Sequence, residues 1–321
     1  MPSPSPVDSD RVVLAARSVS KSFGSVHALT HVDITVRAGT VHALIGENGA
    51  GKSTLAAVLA GNLHADTGSV LVDGTEVSFA NRADARSRGI GLVPQHLSLV
   101  GGLSLVENYL LGQPQRILRR AQARSTLAAA IAATGLPVDM DAPTSSLSLP
   151  HRQLGEIAIA LAEGARILLL DEPTSSLGPS EVGGLFERLR ALVAAGTAVV
   201  LITHRLDEVQ QVADEVTVLA HGLRVQSGPA AGLSPEEIAR MMVGELDAPP
   251  ERTQRLLGDV AIAASALTVS CTYDSSLDDL DLTVRAGEIV GIAGVAGSAT
   301  SDSSGGTGGR LTLPGSPGGK T

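Results

Sequence analysis

With 321 residues the chain has room for about two domains, and 43% hydrophobic residues can fill their cores. Trp is absent and only three Phe and two Tyr occur, so those cores are built from Ala, Val, Leu and Ile. A single cysteine, Cys271, excludes an internal disulfide and fits a reducing compartment, while a net charge of −9 gives no general attraction to nucleic acid or to an anionic membrane surface.

Residues 1–10 are rich in Pro and Ser and carry no signal-peptide pattern; they are expected to be disordered. Strand candidates follow at Val12–Ala16, His31–Val36 and Val41–Ile45. The third runs into Gly46-Glu47-Asn48-Gly49-Ala50-Gly51-Lys52-Ser53-Thr54, and a helical stretch opens at Lys52. Strand, glycine-rich turn and helix in this order form a phosphate-binding loop. Its glycines let successive N–H groups face a phosphate, Lys52 can reach the β- and γ-phosphates, Ser53 can bind Mg²⁺, and the helix adds its positive dipole end.

Further strand candidates are Ser69–Val72, Gly91–Val93, Ile167–Leu170 and Ala198–Ile202, separated by helical stretches such as Ser125–Thr134 and Glu181–Ala195. Buried β-runs alternating with amphipathic helices predict an α/β fold with a mainly parallel sheet. Ile167–Leu170 ends in Asp171-Glu172, a pair suited to nucleotide hydrolysis: Asp171 holds Mg²⁺ through water and Glu172 polarises the attacking water. Gln95 and His204 also follow apolar runs, and in an open parallel sheet ligands gather at strand carboxyl ends. Taken singly, each of these residues has an ordinary structural role as its alternative. The longest uncharged apolar stretches, Ala191–Thr203 and Val260–Tyr273, are too short to cross a bilayer.

An internal repeat is present. Leu29 to Gly46 and Leu277 to Gly294 share the phrase Leu/Ile-Thr-Val-Arg-Ala-Gly at an offset of 248 residues. The second copy runs to Gly297, after which Gly and Ser dominate, and residues 298–321 are expected to be a low-complexity, disordered tail.

In this order the motifs resemble those of the ATP-binding cassette (ABC) ATPases, over residues 11–245, with 246–261 as a linker and 262–297 as the start of a second cassette. The resemblance implies a P-loop nucleotide-hydrolase core with an antiparallel β subdomain and a helical subdomain. It implies that Phe23 stacks on adenine, although a strand-end core position is the competing reading. It also implies that Gln95 senses Mg²⁺ and the coupled subunit, that His204 contacts the γ-phosphate, and that Ser148 belongs to the signature that clamps the nucleotide of the opposite cassette. The signature reads Leu147-Ser148-Leu149-Pro150-His151-Arg152-Gln153, so Pro150 replaces the second glycine and removes one N–H donor. The family's D-loop Asp is missing, since Gly178 follows Ser176-Leu177. Gln153, Glu156 and Ile157 stand where sugar-importer relatives have the same residues.

Phrases such as Gln95-His96-Leu97-Ser98-Leu99-Val100 and Ile202-Thr203-His204-Arg205-Leu206 resemble the duplicated ATPases of sugar and nucleoside importers, with a slight lean to the nucleoside branch. The expectation is a cytoplasmic, membrane-peripheral ATPase subunit that uses ATP and Mg²⁺. Its expected partners are an integral-membrane permease, a second cassette and a solute-binding protein, with no nucleic acid. Thr300 stands where the repeat would place a second Lys52, and a truncated or frameshifted second cassette is expected. Three rival readings stay open: a non-transport cassette protein, a catalytically impaired nucleotide-binding module, and a small-molecule kinase, the last disfavoured because it leaves Gln95, His204 and the Ser148 region without a task.

Overall fold

A computed structural model of the chain describes residues 10–113, 120–135, 138–175, 177–243, 257–270, 276–291 and 310–312. Cys271, Ser176, residues 292–297 and Thr300 lie outside the described residues. The chain divides into two compact units, Met1–Leu246 and Asp247–Thr321.

The first unit runs β1 (Val12–Phe23), β2 (Val26–Arg37), β3 (Val41–Ile45), α1 (Lys52–Leu59), β4 (Thr67–Val72), β5 (Thr75–Val77), α2 (Arg82–Ser87), β6 (Ile90–Val93), α3 (Leu105–Leu111) and α4 (Arg120–Thr134). After a single 3-10 turn at Thr144–Ser146 come α5 (Leu149–Ala162), β7 (Ile167–Asp171), α6 (Pro179–Ala194), β8 (Ala198–Thr203), α7 (Leu206–Val212), β9 (Glu215–Ala220), β10 (Leu223–Pro229) and α8 (Pro235–Val243).

Six strands form the central sheet in the order β10-β9-β3-β8-β7-β6, parallel throughout except for β10 at its edge. Both faces are covered, which is why its strands read as continuous apolar runs rather than alternating ones. Leu44, Ile167, Leu169, Val200 and Ile202 pack toward α1 in one cluster, whereas Val41, Leu168, Leu170, Val199 and Leu201 pack with α3 to α6 in another. Ala43, Ile45, Val216 and Val218 meet α7 and α8 in a third. β1, β2, β4 and β5 make a separate antiparallel sheet, and α3, α4 and α5 form the helical part.

Register brings the strand ends into line. Ile45 pairs with Thr203, Ile202 with Asp171, and Leu170 with Val93. The segments after β3, β6, β7 and β8 therefore emerge side by side at one edge of the sheet.

The second unit contains β11 (Val260–Ser270), β12 (Ser276–Arg285) and β13 (Arg310–Thr312) in an antiparallel sheet of order β12-β11-β13. β11 begins inside the expected linker, and β13 lies inside the stretch read as an unstructured tail, at its only alternation of polar and apolar residues, Arg310-Leu311-Thr312-Leu313. The β11–β12 hairpin repeats β1–β2 in detail. Val12 pairs with Arg37 as Val260 pairs with Arg285, and Val19 with Val32 as Leu267 with Leu280. The positive φ angles at Ser18 and His31 recur at Ala266 and Asp279. The Asp33 carboxylate accepts from the Ser18 N–H, and the Asp281 carboxylate accepts from the Ala266 N–H, both at 2.8 Å. The sequence repeat is thus a repeat of bulges and side-chain locks as well as of residues.

Candidate functional site

The loop after β3 is shaped by close approach. A Cβ on Gly46 would stand 2.3 Å from the Leu219 carbonyl oxygen, and one on Gly51 would stand 2.5 Å from that of Ala28. Gly51 also has φ 101°, a conformation that costs an L-residue about 1–2 kcal/mol. No side chain caps the start of α1, so the first N–H groups of this helix remain available to an anion.

Lys52 is buried, at 6% exposure, and its ammonium donates to the carbonyl oxygens of Gly46 at 2.8 Å and Glu47 at 3.0 Å. It therefore curls back over the loop it follows. Burial pushes its pKa down, while the carboxylates of Glu172 and Asp171 oppose that shift. Burial raises the pKa of Asp171, a hydrogen bond from Ser53 works against it, and the Glu172 charge adds to it.

Glu172 follows the last residue of β7 with φ 46°, a left-handed conformation rare for a residue of this type, and its N–H is held by the Ile202 carbonyl at 2.9 Å. Its carboxylate is held at both oxygens. Gln95 Nε2 donates to Oε2 at 2.9 Å, and His204 Nδ1 lies 2.9 Å from Oε1. The structure thus joins three of the sequence-predicted residues through one carboxylate. A pocket of about 370 Å³ is lined by Asn48, Gly49, Gly51, Lys52, Ser53, Thr54, Gln95 and Glu172, together with Val26, His27 and Ala28 from the β1–β2 hairpin. Those three hairpin residues carry no motif and were not legible in the sequence.

Gly46, Glu47, Ala50, Asp171, His204, Phe23 and Ser148 are not among the residues that line that pocket. Phe23, at the end of β1, is 51% exposed with Lys21 Nζ 5.8 Å from its ring centroid, which removes the strand-end core reading. Ser148 precedes the first residue of α5, and its hydroxyl lies 3.0 Å from His151 Nδ1. It lines a different cavity, of about 250 Å³, with Pro150, His151, Gln153, Glu181 and Arg188. Pro150 is the second residue of α5, where an N–H would have no acceptor within the helix, so the proline costs the helix nothing. Gly178 precedes α6, and its N–H donates to the Glu181 carboxylate at 2.8 Å.

A link between Gln95's segment and α5 comes from Glu156, whose Oε1 accepts from the Ser98 N–H and hydroxyl and from the Leu99 N–H. Burial raises its pKa. Among the described residues, no helix is long and apolar enough to cross a membrane.

Comparison with known proteins places this geometry in context. Residues 29–175 match the family model described as ABC transporter. The chain is 42% identical over 286 residues to "Ribose import ATP-binding protein RbsA 2" of Streptomyces avermitilis, covering 88% of this chain and 56% of that protein. It is 39% identical over 284 residues to "Putative ribose/galactose/methyl galactoside import ATP-binding protein 3" of Agrobacterium fabrum, covering 87% and 56% respectively. The chain therefore spans about half the length of the curated relatives it matches. Among solved structures, a nucleotide-free ATP-binding cassette from an ABC transporter superposes with TM-score 0.63 at 26% identity, covering 73% of this chain and 96% of that one. The ADP conformation of a cassette of an ABC transporter does so with TM-score 0.64, at the same identity and coverage.

Proposed function

Because the chain belongs to the ATP-binding cassette family of ABC transporter proteins, we propose that it is the ATP-binding subunit of a sugar importer and couples ATP hydrolysis to uptake through a membrane permease. The observation that carries this reading is the Glu172 carboxylate, held between Gln95 and His204 beside a buried lysine. The sugar class rests on the quoted relatives, which are named for ribose and galactosides.

In this reading the N–H groups of Gly46 to Thr54 and the start of α1 cradle the β- and γ-phosphates, and Lys52 turns from its carbonyl partners to meet them. Ser53 and Asp171 fit Mg²⁺, since both are hard oxygen donors and they already share a hydrogen bond. Gln95 is the third candidate ligand. When bound, the ion neutralises phosphate charge. Glu172 takes the proton of the attacking water; each carboxylate oxygen has a second lone pair, so the water can be accepted while Gln95 and His204 stay bound. His204 then orients Glu172 and faces the γ-phosphate, and Phe23 stacks on the adenine.

Ser148 lies outside the pocket of its own chain, which supports a paired arrangement in which it closes on the nucleotide of a second cassette. A permease and a solute-binding protein complete the complex, and the subunit is peripheral on the cytoplasmic face through the permease. Residues 11–245 form the complete cassette, 246–261 the linker, and 262–297 the opening of a second cassette, a reading supported by the repeated hairpin.

One observation favours a second reading, binding without turnover: Pro150 withholds a donor where the signature needs one. Mg·ATP turnover of the purified chain, alone and with its co-encoded permease, separates the two. Turnover abolished by Glu172→Gln supports hydrolysis, whereas tight ATP binding with no turnover in either setting supports the impaired module.

A further inference from the structure

We propose that Glu208 is a positioning residue that fixes Glu172 and His204 relative to each other; the proposal rests on the hydrolytic reading above. Glu208 sits in the first turn of α7 and is completely buried. Its Oε2 accepts from the Thr203 hydroxyl at 2.7 Å, and its Oε1 accepts from the Thr174 hydroxyl and lies 3.2 Å from Arg205 Nε. Thr203 and Thr174 are each 2% exposed. Thr203 immediately precedes His204, and Thr174 is two residues after Glu172. One carboxylate therefore grips the chain at both ends of the Glu172–His204 hydrogen bond.

A buried carboxylate is costly unless its lone pairs are satisfied, and a well-packed apolar residue often serves stability as well. Glu208 is satisfied by groups drawn from two different strand ends, which is the arrangement that geometry, rather than stability, requires. The backbone of Glu172 supports the same conclusion. Its left-handed φ of 46° persists only where the surroundings hold it, and the holds are the Ile202 carbonyl on its N–H and the Thr174–Glu208 bond beyond it. The Arg205 N–H donates to Thr203 Oγ1 at 3.0 Å, which extends the network across His204. None of these groups lines the pocket of the phosphate loop.

Glu208→Gln keeps the shape but replaces one acceptor by a donor, and Thr203→Val removes the other partner. For each, kcat for ATP is expected to fall by about tenfold with KM within about twofold, since the interaction serves the transition state and not nucleotide binding. In a His204→Ala background, Glu208→Gln is expected to cost no more than about a further twofold, because no Glu172–His204 contact is then left for it to fix. Thr203→Ser, which keeps the hydroxyl, is expected to retain wild-type kcat. Additive effects in the double variant, a rise in KM with kcat unchanged, or a lowered Tm with kcat unchanged would overturn the proposal. If the wild-type chain shows no turnover, the hydrolytic reading fails instead, and the His204 ring resonances decide on positioning. They are expected to shift in Glu208→Gln and to stay put in the exposed control Glu236→Gln; no shift in Glu208→Gln overturns the proposal.

Discussion

Replacing Gly46 by Ala tests whether the phosphate loop owes its form to contact with β9. The new methyl carbon would sit 2.3 Å from the Leu219 carbonyl oxygen and 3.0 Å from Ala50 Cβ. Real contacts of this kind do not fall below 3.0 Å, so the loop and β9 must part by about 0.7 Å. β9 is hydrogen-bonded on both sides, to β3 and β10, and Leu219 is fully buried, so neither strand yields freely. Overpacking of this size costs about 1–3 kcal/mol in stability. If the loop moves, the loss of one charge-assisted hydrogen bond to phosphate costs about 1.5–3 kcal/mol, roughly a 10- to 150-fold weaker Kd for ATP. Gly49→Ala is the internal control: a Cβ there meets open space, and φ of 85° leaves only about 1–2 kcal/mol of backbone strain. Urea denaturation and titration with a fluorescent ATP analogue read both quantities. A Gly46→Ala protein with wild-type midpoint and affinity would refute the steric argument, as would Gly49→Ala proving the more damaging of the two.

Phe23→Ala is expected to change stability by no more than about 0.5 kcal/mol, given its exposure, and to weaken ATP binding by about 1–3 kcal/mol if the ring stacks on the base; unchanged affinity would remove that role. Pro150→Gly lowers stability by about 0.4–1 kcal/mol through the unfolded chain while restoring an N–H donor, so a raised kcat beside a lowered Tm is expected, and an unchanged kcat would mean that the missing donor is immaterial. Glu215 is held below the usual carboxylate range by its hydrogen bond with His42 and by the Arg37 guanidinium. A depressed folded pKa adds stability above the unfolded value and loses it as pH falls through the folded one. Glu215→Gln is therefore expected to cost about 1–2 kcal/mol at pH 7 and to match the wild type only once pH has fallen through the depressed folded pKa of Glu215, in urea midpoints measured from neutral into acidic pH; a pH-independent difference would contradict the linkage.

What the sequence discloses and what it hides follow from how far apart the cooperating residues lie in the chain. The phosphate loop is legible because strand, turn and helix are contiguous, although the close approaches that require Gly46 and Gly51 come from Leu219 and Ala28, far off in the chain. β1 reads only as far as Ala16, although the strand runs to Phe23, because register shifts after Ala16 and Val19 break the alternation that identifies a strand. The same shifts, with positive φ at Ser18 and His31, disguise the start of β2. β9 and β10 are additional to the strands read from the sequence, and β9 supplies the Leu219 carbonyl that makes Gly46 necessary.

The union of Gln95, Glu172 and His204 depends on β6, β7 and β8 being neighbours in one parallel sheet, which strand order alone decides. Their positions at strand ends were readable, but their shared carboxylate was not. Glu208 is the extreme case. Asp207 and Glu208 are adjacent carboxylates in the first turn of α7, and Asp207 faces solvent, whereas Glu208 is wholly enclosed. Two threonine hydroxyls, 29 residues apart in the chain, together with the Arg205 guanidinium, account for a buried carboxylate at that position. A motif therefore names the groups proposed to meet the nucleotide, while the groups proposed to aim them are recognisable by burial and partnership. For that reason the sharpest test of a hydrolytic site here lies in the coupling between Glu208 and His204, which a chain of independent motifs would not possess.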